Sequence, residues 1–377
     1  MCAGPAAELS ITLSVLSEAP DAAAAQVVPH SPVGDHTDVD DVLDFARHCD
    51  VVTFDHEHVP PAVLEALVSS GVALHPTPEA LRFAQDKLAM RERLTTIGVA
   101  CPRWARARTA AEVEDFAEQV GWPVVAKTPR GGYDGKGVRV IGSAAEVADW
   151  LDQVGAPGAL HDGVLLEEEV DFVRELAVLI ARSPSNQAAA WPVVETVQTD
   201  GICTEVLAPA PGLDPDLAAV ATEAGLRIAE ELGVTGVFAV EMFEVRDPGT
   251  GAAAYVVNEL AMRPHNSGHW SMDGAVTGQF EQHLRAVLDL PLGDPRPRAA
   301  WTVMANVLGG DRPEHEELYS AYRHIMARDP GVKVHLYGKG VRPGRKIGHV
   351  NVSSVDLADA RERAGHAADY LRGTVTE

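Results

Sequence analysis

A mixed α/β and α+β architecture is what this 377-residue sequence predicts. Short apolar strands alternate with helical stretches over residues 1–80, the pattern of a small parallel α/β unit. After residue 120 the apolar runs lengthen and are joined by tight turns, as in an antiparallel α+β domain. The last stretch, 301–377, holds short strands, a basic turn and a closing helix, which together make a small β-rich unit.

Taken in order, residues 11–16 (ITLSVL) and 49–54 (CDVVTF) read as short buried strands. Apolar spacing predicts a helix over 39–48, with Thr37 or Asp38 as its cap. A second helix covers 61–69 and stops at Gly71. Amphipathic periodicity predicts one long helix over 79–97 and another over 110–120. WPVVAKTP (122–129) and VRVIGS (138–143) are strand-like and flank the loop GGYDGKG (131–137). A helix at 144–153 precedes two strands, VLLEEEV (164–170) and ELAVLIA (175–181). A helix at 214–232 leads to the strands GVFAVEMFEV (236–245) and AAYVVNELAM (253–262), with DPGTG (247–251) as the turn between them. No internal repeat or low-complexity tract interrupts this order.

Charge and length narrow the function classes. Lys plus Arg number 31 and Asp plus Glu 55, a formal charge of −24. Nucleic acid and anionic membranes need basic surface, so neither is an expected partner. An anionic substrate must be met by a local cluster of Lys and Arg. No apolar run approaches the ~20 residues of a membrane span. No basic segment followed by an apolar run opens the chain, so no signal peptide is read. Cys2, Cys49, Cys101 and Cys203 are widely spaced, which fits reduced thiols in a cytoplasmic protein.

Several residues could carry chemistry. Lys127 ends an apolar strand beside a loop with four glycines, which also offers Lys136. Glycines let backbone N–H groups approach an anion closely, so the loop suits a phosphate cover, or else a solvated hairpin. It contains no Walker motif. Glu241 and Glu259 lie in strands joined by a tight turn, which can set both carboxylates on one face. Such a pair suits magnesium, which prefers oxygen ligands and bridges carboxylates to nucleotide phosphates. Glu167, Glu168 and Glu169 form either a solvated acidic turn or part of a nucleotide site, with Glu175 in the next strand. RPHNSGHW (263–270) gathers Arg263, His265, Asn266, Ser267 and His269 in one loop. HEHVP (56–60) is a loop after a strand, where α/β units bind ligands, and its histidine spacing is weak as a metal motif. YGKGVRPGRK (337–346) concentrates Lys339, Arg342, Arg345 and Lys346, a set suited to a phosphate.

Together these stretches resemble an ATP-grasp enzyme, and more narrowly the N5-carboxyaminoimidazole ribonucleotide synthetase family of purine biosynthesis. The resemblance runs from about residue 10 to 352 through VGDHTD, VTFDHEHVP, FAQDK, KTPRGGYDGKG, LLEEEVDFVREL, FAVEMF, NELAMRPHNSGHW and RPGRKIGHV. It implies an ATP-grasp fold with an N-terminal pre-ATP-grasp unit at 1–80, an ATP-grasp domain at 81–295 with its lid near 105–170, and a C-terminal unit at 296–377. It also implies an ATP-dependent ligase. ATP, bicarbonate and 5-aminoimidazole ribonucleotide would react through carboxyphosphate, with magnesium, or manganese in its place, in a cytoplasmic homodimer.

The resemblance also implies residue roles. Lys87 and Lys127 match positions that touch ATP phosphates, and Gly132, Tyr133, Asp134, Gly135, Lys136 and Gly137 the loop that covers them. Glu167, Glu168, Glu169 and Val170 match the hinge that reads adenine through its backbone, and Glu175 the ribose ligand. Glu241 and Glu259 match metal ligands, with Asn258 beside them. Arg263, His265 and Asn266 match the bicarbonate and carboxyphosphate region. Tyr133, Asp134, Lys136, Lys339, Arg345 and Lys346 match the ribonucleotide site, and Glu57 lines the same cleft; Lys339 is also expected to act in catalysis.

Two departures stand out. Met262 occupies a position where the family has proline, with Pro264 retained nearby. The family also opens with a strand and a glycine-rich segment, and Met1 here aligns with the end of that segment, so an internal start is expected. The alternatives are another ATP-grasp member, such as a formate-dependent transformylase or a biotin carboxylase, and a nucleotide-binding protein without catalysis. Product formation separates the first, and bound nucleotide without turnover identifies the second.

Overall fold

The computed structural model describes residues 1–132, 137–247, 249–310 and 315–375. The chain begins with α1 (Ala3–Glu8), α2 (Val39–Ala46), β1 (Val51–Val52), α3 (Pro61–Ser70) and β2 (Ala73–Leu74). β1 and β2 pair in parallel, and isolated parallel bridges join Ser14 to His30 and Ser17 to Val33. Asp38 caps α2 by accepting from the N–H groups of Asp40 and Asp41. Gly71, at φ 81°, ends α3 in the left-handed region. Residues 11–16 are not a strand as expected; only the bridge at Ser14 forms there.

The expected single helix over 79–97 is two, α4 (Pro78–Gln85) and α5 (Lys87–Thr96). Periodicity carries across the junction, but Asp86 leaves helical geometry at φ −134°, ψ 104° and its carboxylate caps α5 at the Ala89 N–H. The Lys87 N–H donates instead to the carbonyl of Pro129, 2.9 Å away.

A small sheet follows, from β3 (Trp104–Ala107), α6 (Ala110–Val120), β4 (Val124–Lys127), β5 (Val138–Ile141), α7 (Ala148–Leu151) and β6 (Val164–Glu168). Its strands are all antiparallel, in the order β3-β6-β4-β5. Residues 144–147 form a 3₁₀ turn, so the helix expected at 144–153 is shorter. The sheet has its own core, with Val113, Phe116, Val124, Ile141 and Trp150.

The large sheet is built from β7 (Phe172–Arg182), β8 (Ala188–Ala190), β9 (Val194–Thr199), β10 (Ile202–Ala208), β11 (Gly236–Arg246), β12 (Ala253–Ala261), β13 (Trp301–Leu308), β14 (Lys333–Leu336) and β15 (Lys346–Ser354). Among the described residues its order is β12-β11-β7-β9-β10-β13-β15-β14, with β8 added on β7. Helices α8 (Pro215–Glu231), α9 (Ser271–Gly274), α10 (Gln279–Val287), α11 (His315–Arg328) and α12 (Leu357–Arg372) complete the chain. Strands β8, β9 and β10 and helix α11 were not read from the sequence. The C-terminal strands do not form a separate sheet. Residues 205–208 of β10 pair with 302–305 of β13, so the C-terminal unit extends the central sheet.

α8 lies on β7 at Gly225. A methyl group there would come within 2.3 Å of Ile180 Cδ1 in the buried core. Gly225→Ala should therefore destabilise the protein by about 1 kcal/mol net, the overpacking exceeding the helix propensity that alanine gains. Thermal unfolding checks this, and an unchanged midpoint would contradict such close contact.

Candidate active site

Strands β11 and β12 set Glu241 directly opposite Glu259. Paired residues on adjacent strands share a face, and two carboxylates so placed repel without a cation nearby. Each has one. Lys87 Nζ lies 2.9 Å from Glu259 Oε1, and His265 Nε2 lies 3.0 Å from Glu241 Oε1. Burial opposes ionisation of Glu241, but the His265 hydrogen bond and the charges of His265, Lys346 and Arg263 hold its carboxyl below the usual range.

The helix break at Asp86 makes the Lys87 contact possible, because it places Lys87 at the first turn of α5. Asp86 also accepts from Arg130 Nε and Nη2 at 3.0 and 2.7 Å, tying this junction to the segment after β4. Lys127, at the end of β4, reaches the same region. Its Nζ is 2.7 Å from Glu167 Oε2 and 3.1 Å from Asn258 Oδ1.

The acidic run at 167–169 is divided. The Glu167 side chain is buried and accepts from Arg91 Nε at 2.5 Å. Burial opposes its charge, but Arg91 and Lys127 hold the carboxyl below the usual range. Glu168 instead pairs with Arg103 at 2.6 Å, and Glu169 is exposed. Residues 167 and 168 are also paired through their backbone, to β3 and β4, and the Glu168 N–H donates to the Arg103 carbonyl at 2.9 Å. Glu175, on β7, is pushed up to about 7 by burial and by the charge of Glu241.

The loop after β12 is braced from several sides. Arg263 Nε donates to Glu57 Oε2 at 2.7 Å, so the loop after β1 reaches this site. Buried Gln279 accepts from the His265 N–H and donates to the His265 carbonyl. His265 Nδ1 also meets Ser267 Oγ at 2.9 Å. Asn266 opens the short 3₁₀ turn Asn266–Gly268.

The basic turn approaches from the C-terminal unit. Lys339 Nζ sits 5.5 Å over the Tyr337 ring, and the Tyr337 hydroxyl meets His349 Nδ1 at 2.8 Å. His349 is buried between the rings of His269 and His335, and burial drives its pKa down to about 3. His335 Nε2 in turn meets Asp273 Oδ2 at 2.8 Å. Arg345 turns back onto the Gly340 carbonyl at 3.3 Å. Gly309 closes tightly against this turn; a methyl group there would lie 2.1 Å from the Arg342 carbonyl oxygen.

The acidic pair fits a divalent ion. Magnesium is commonly bound through one or two carboxylates with substrate phosphates and water completing the shell. Two directly opposed carboxylates with an amide at Asn258 match that donor set. Among the described residues no group of three or more His, Cys, Asp or Glu is arranged to hold a metal, so phosphate and water oxygens would complete the shell at the acidic pair.

The structure thus gathers Lys87, Lys127, Glu167, Asn258, Glu241, Glu259, Arg263, His265 and Glu57 into one contact network. Gly132 and Gly137 are described, while Tyr133, Asp134, Gly135 and Lys136 lie outside the described residues. Arg91, Gln279, Tyr337 and His349 belong to the network without having been read from the sequence. An arginine on the buried face of α5, among Leu88, Met90 and Leu94, was the available signal for Arg91.

Family models match along the chain in three pieces: a ribonucleotide synthetase preATP-grasp domain over 1–85, an ATP-grasp domain over 92–280, and a phosphoribosylaminoimidazole carboxylase C-terminal domain over 302–363. Fold and site therefore define an ATP-grasp ligase. The chain is 52% identical over 363 residues to the N5-carboxyaminoimidazole ribonucleotide synthase of Mycobacterium tuberculosis, covering 96% of this chain and 83% of that one. The Synechococcus elongatus enzyme of the same name is 37% identical, with 98% and 90% covered. A crystal structure of the Thermus thermophilus synthetase superposes with a TM-score of 0.82 at 34% identity, covering 100% and 96%. The Aspergillus clavatus enzyme, solved with ADP and 5-aminoimidazole ribonucleotide, gives 0.84 at 30% identity, covering 98% and 95%. The chain belongs to the N5-carboxyaminoimidazole ribonucleotide synthase family.

Glu175 yields a pH-dependent expectation. Its folded pKa of about 7 exceeds the ordinary value of 4.5, so its contribution is fully present below pH 4.5 and lost as pH rises through 7. Glu175→Gln, which cannot ionise, should raise the thermal midpoint relative to the parent more at pH 8 than at pH 5. An equal effect at both pH values would show that Glu175 is not desolvated.

Proposed function

We propose that the chain converts ATP, bicarbonate and 5-aminoimidazole ribonucleotide into N5-carboxyaminoimidazole ribonucleotide, ADP and phosphate through this residue network. A bicarbonate oxygen attacks the γ-phosphorus as its bond to the ADP oxygen breaks, leaving carboxyphosphate. The exocyclic amine of the ribonucleotide then bonds the carboxyl carbon, directly or after release of carbon dioxide. Phosphate departs with the C–O electron pair, and the amine loses one proton.

Such a transfer depends on positioning and charge neutralisation. Lys87 and Lys127 supply positive charge at the phosphates. Glu241 and Glu259 would hold magnesium, or manganese in its place, which neutralises phosphate charge when bound. Arg263, His265 and Asn266 hold bicarbonate and carboxyphosphate, with Glu57 fixing the Arg263 guanidinium. Lys339, Arg345 and Lys346 meet the ribonucleotide phosphate, with Lys339 steadied on Tyr337. Glu167 to Val170 read adenine through the backbone, and Glu175 meets the ribose. Tyr133, Asp134 and Lys136 complete the ribonucleotide site, within the loop from Gly132 to Gly137 that covers the phosphates.

The observation that carries this reading is the Glu241–Glu259 pair flanked by Lys87 on one side and the His265 loop on the other. It joins a nucleotide-phosphate site to an oxyanion site. Membership of the family is the ground for reading a cytoplasmic homodimer; among the described residues no helix is long and apolar enough to cross a membrane.

The test is ADP release with magnesium and bicarbonate, with and without the ribonucleotide. Strong dependence on the ribonucleotide is expected, and release indifferent to it would overturn the substrate assignment. Glu259→Gln should lower kcat by about 100-fold. Gly309→Ala, which displaces the basic turn, should raise KM for the ribonucleotide by about 10-fold and leave KM for ATP unchanged. Equal effects on both constants would separate the turn from the ribonucleotide.

A further inference from the structure

The register between β11 and β12 slips at the acidic pair. Glu241 faces Glu259, but the next residue, Met242, faces Val257. Asn258 is therefore the extra residue of a β-bulge. In a regular strand successive carbonyls point in opposite directions, so one side chain on the sheet edge can collect only alternate ones. Here both the Val257 and Asn258 carbonyls accept from a single guanidinium. Arg91 Nη1 donates to Val257 O at 2.9 Å, and Nη2 to Asn258 O at 2.6 Å.

β12 is an edge strand of the large sheet, and Arg91 of α5 reaches its outer edge. The Val257 N–H donates to the Ala100 carbonyl at 2.8 Å, completing the cover. Arg91 is fully buried, and its Nε is held by Glu167. The other Glu167 oxygen holds Lys127, which also contacts the Asn258 side chain. The bulged residue is thus gripped at its carbonyl by Arg91 and at its amide by Lys127.

We infer that Arg91 is a positioning residue for the metal site: by satisfying the two carbonyls turned outward at the Asn258 bulge, it fixes the register that sets Glu259 opposite Glu241. Bulges beside active sites re-aim side chains, and this one needs a buried planar fork with two donors at fixed spacing. Lysine retains the charge for Glu167 but not the fork. The inference rests on the reading that Glu241 and Glu259 hold the divalent ion.

Manganese binding in the presence of ADP, followed by electron paramagnetic resonance, tests the two claims separately. The parent protein should bind manganese with ADP, and Glu259→Gln should not. If Glu259→Gln binds as the parent does, the metal reading fails. Arg91→Lys should bind manganese about 10-fold more weakly, the scale of losing a residue behind a metal ligand. Its affinity for ADP in EDTA should be unchanged, with a cooperative thermal transition. Weaker manganese binding with intact metal-free ADP binding supports positioning. A lowered thermal midpoint with parental manganese affinity, while Glu259→Gln has lost it, overturns it. If Arg91→Lys does not fold, Arg91→Gln, which leaves Glu167 paired with Lys127, carries the same readout. The same loss is expected of that variant, and parental manganese affinity in it would overturn the inference.

Discussion

Two like charges held face to face are the constraint around which this molecule is arranged. Glu241 and Glu259 face each other on neighbouring strands, and two carboxylates so placed repel unless positive charge lies near. The help comes from sequence-distant places: Lys87 at the start of α5, and His265 after β12. Each of these needs its own support. Lys87 depends on the helix break at Asp86, and His265 on the Gln279 clamp. Behind them lies the buried chain Arg91–Glu167–Lys127, which ties the small sheet to the edge of the large one. A buried ion pair of this kind is weak grounds for stability in itself. Its effect here is geometric, since it joins two sheets and a helix at one point.

A second polar layer lies between the His265 loop and the C-terminal strands. The rings of His269, His349 and His335 stack in sequence, ending on Asp273 at one end and on Tyr337 at the side. Asn351 donates to the His269 carbonyl and to Asp273 across the same seam. Burial depresses the pKa values of His269 and His349, which favours the uncharged form of those two rings. This layer joins the His265 loop to the basic turn.

What could be read in advance follows physical range. The acidic pair was legible because strand periodicity and one tight turn fix it, both local properties. So were the ends of α2 and α3, where Asp38 and Gly71 act within a few residues. The break at Asp86 was not: its cap on the Ala89 N–H is local, but the Pro129 carbonyl and Arg130 that also hold it are distant in sequence from α5. The run at 167–169 looked uniform, yet one glutamate is buried and the next faces Arg103. Charge alone cannot distinguish them; only the alternation of a strand against two different neighbours does. The loops at 56–58 and 263–270 were each noted, but the ion pair from Glu57 to Arg263 is purely tertiary. Residues 11–16 had strand composition but form only an isolated bridge.

The continuity of the large sheet bears on how the protein is made. β10 lies in the interior of the finished sheet, with β9 on one side and β13 on the other. During synthesis β9 and β10 emerge well before β13, after which α8, β11 and β12 must still be translated. Until β13 arrives, β10 presents an unpaired edge, the kind of surface that recruits other strands. Leu207, on the face that packs only against C-terminal residues, waits uncovered for the same interval. The last third of the chain therefore closes a surface that the middle third leaves open, and a nascent chain stalled before β13 is the form most exposed to aggregation.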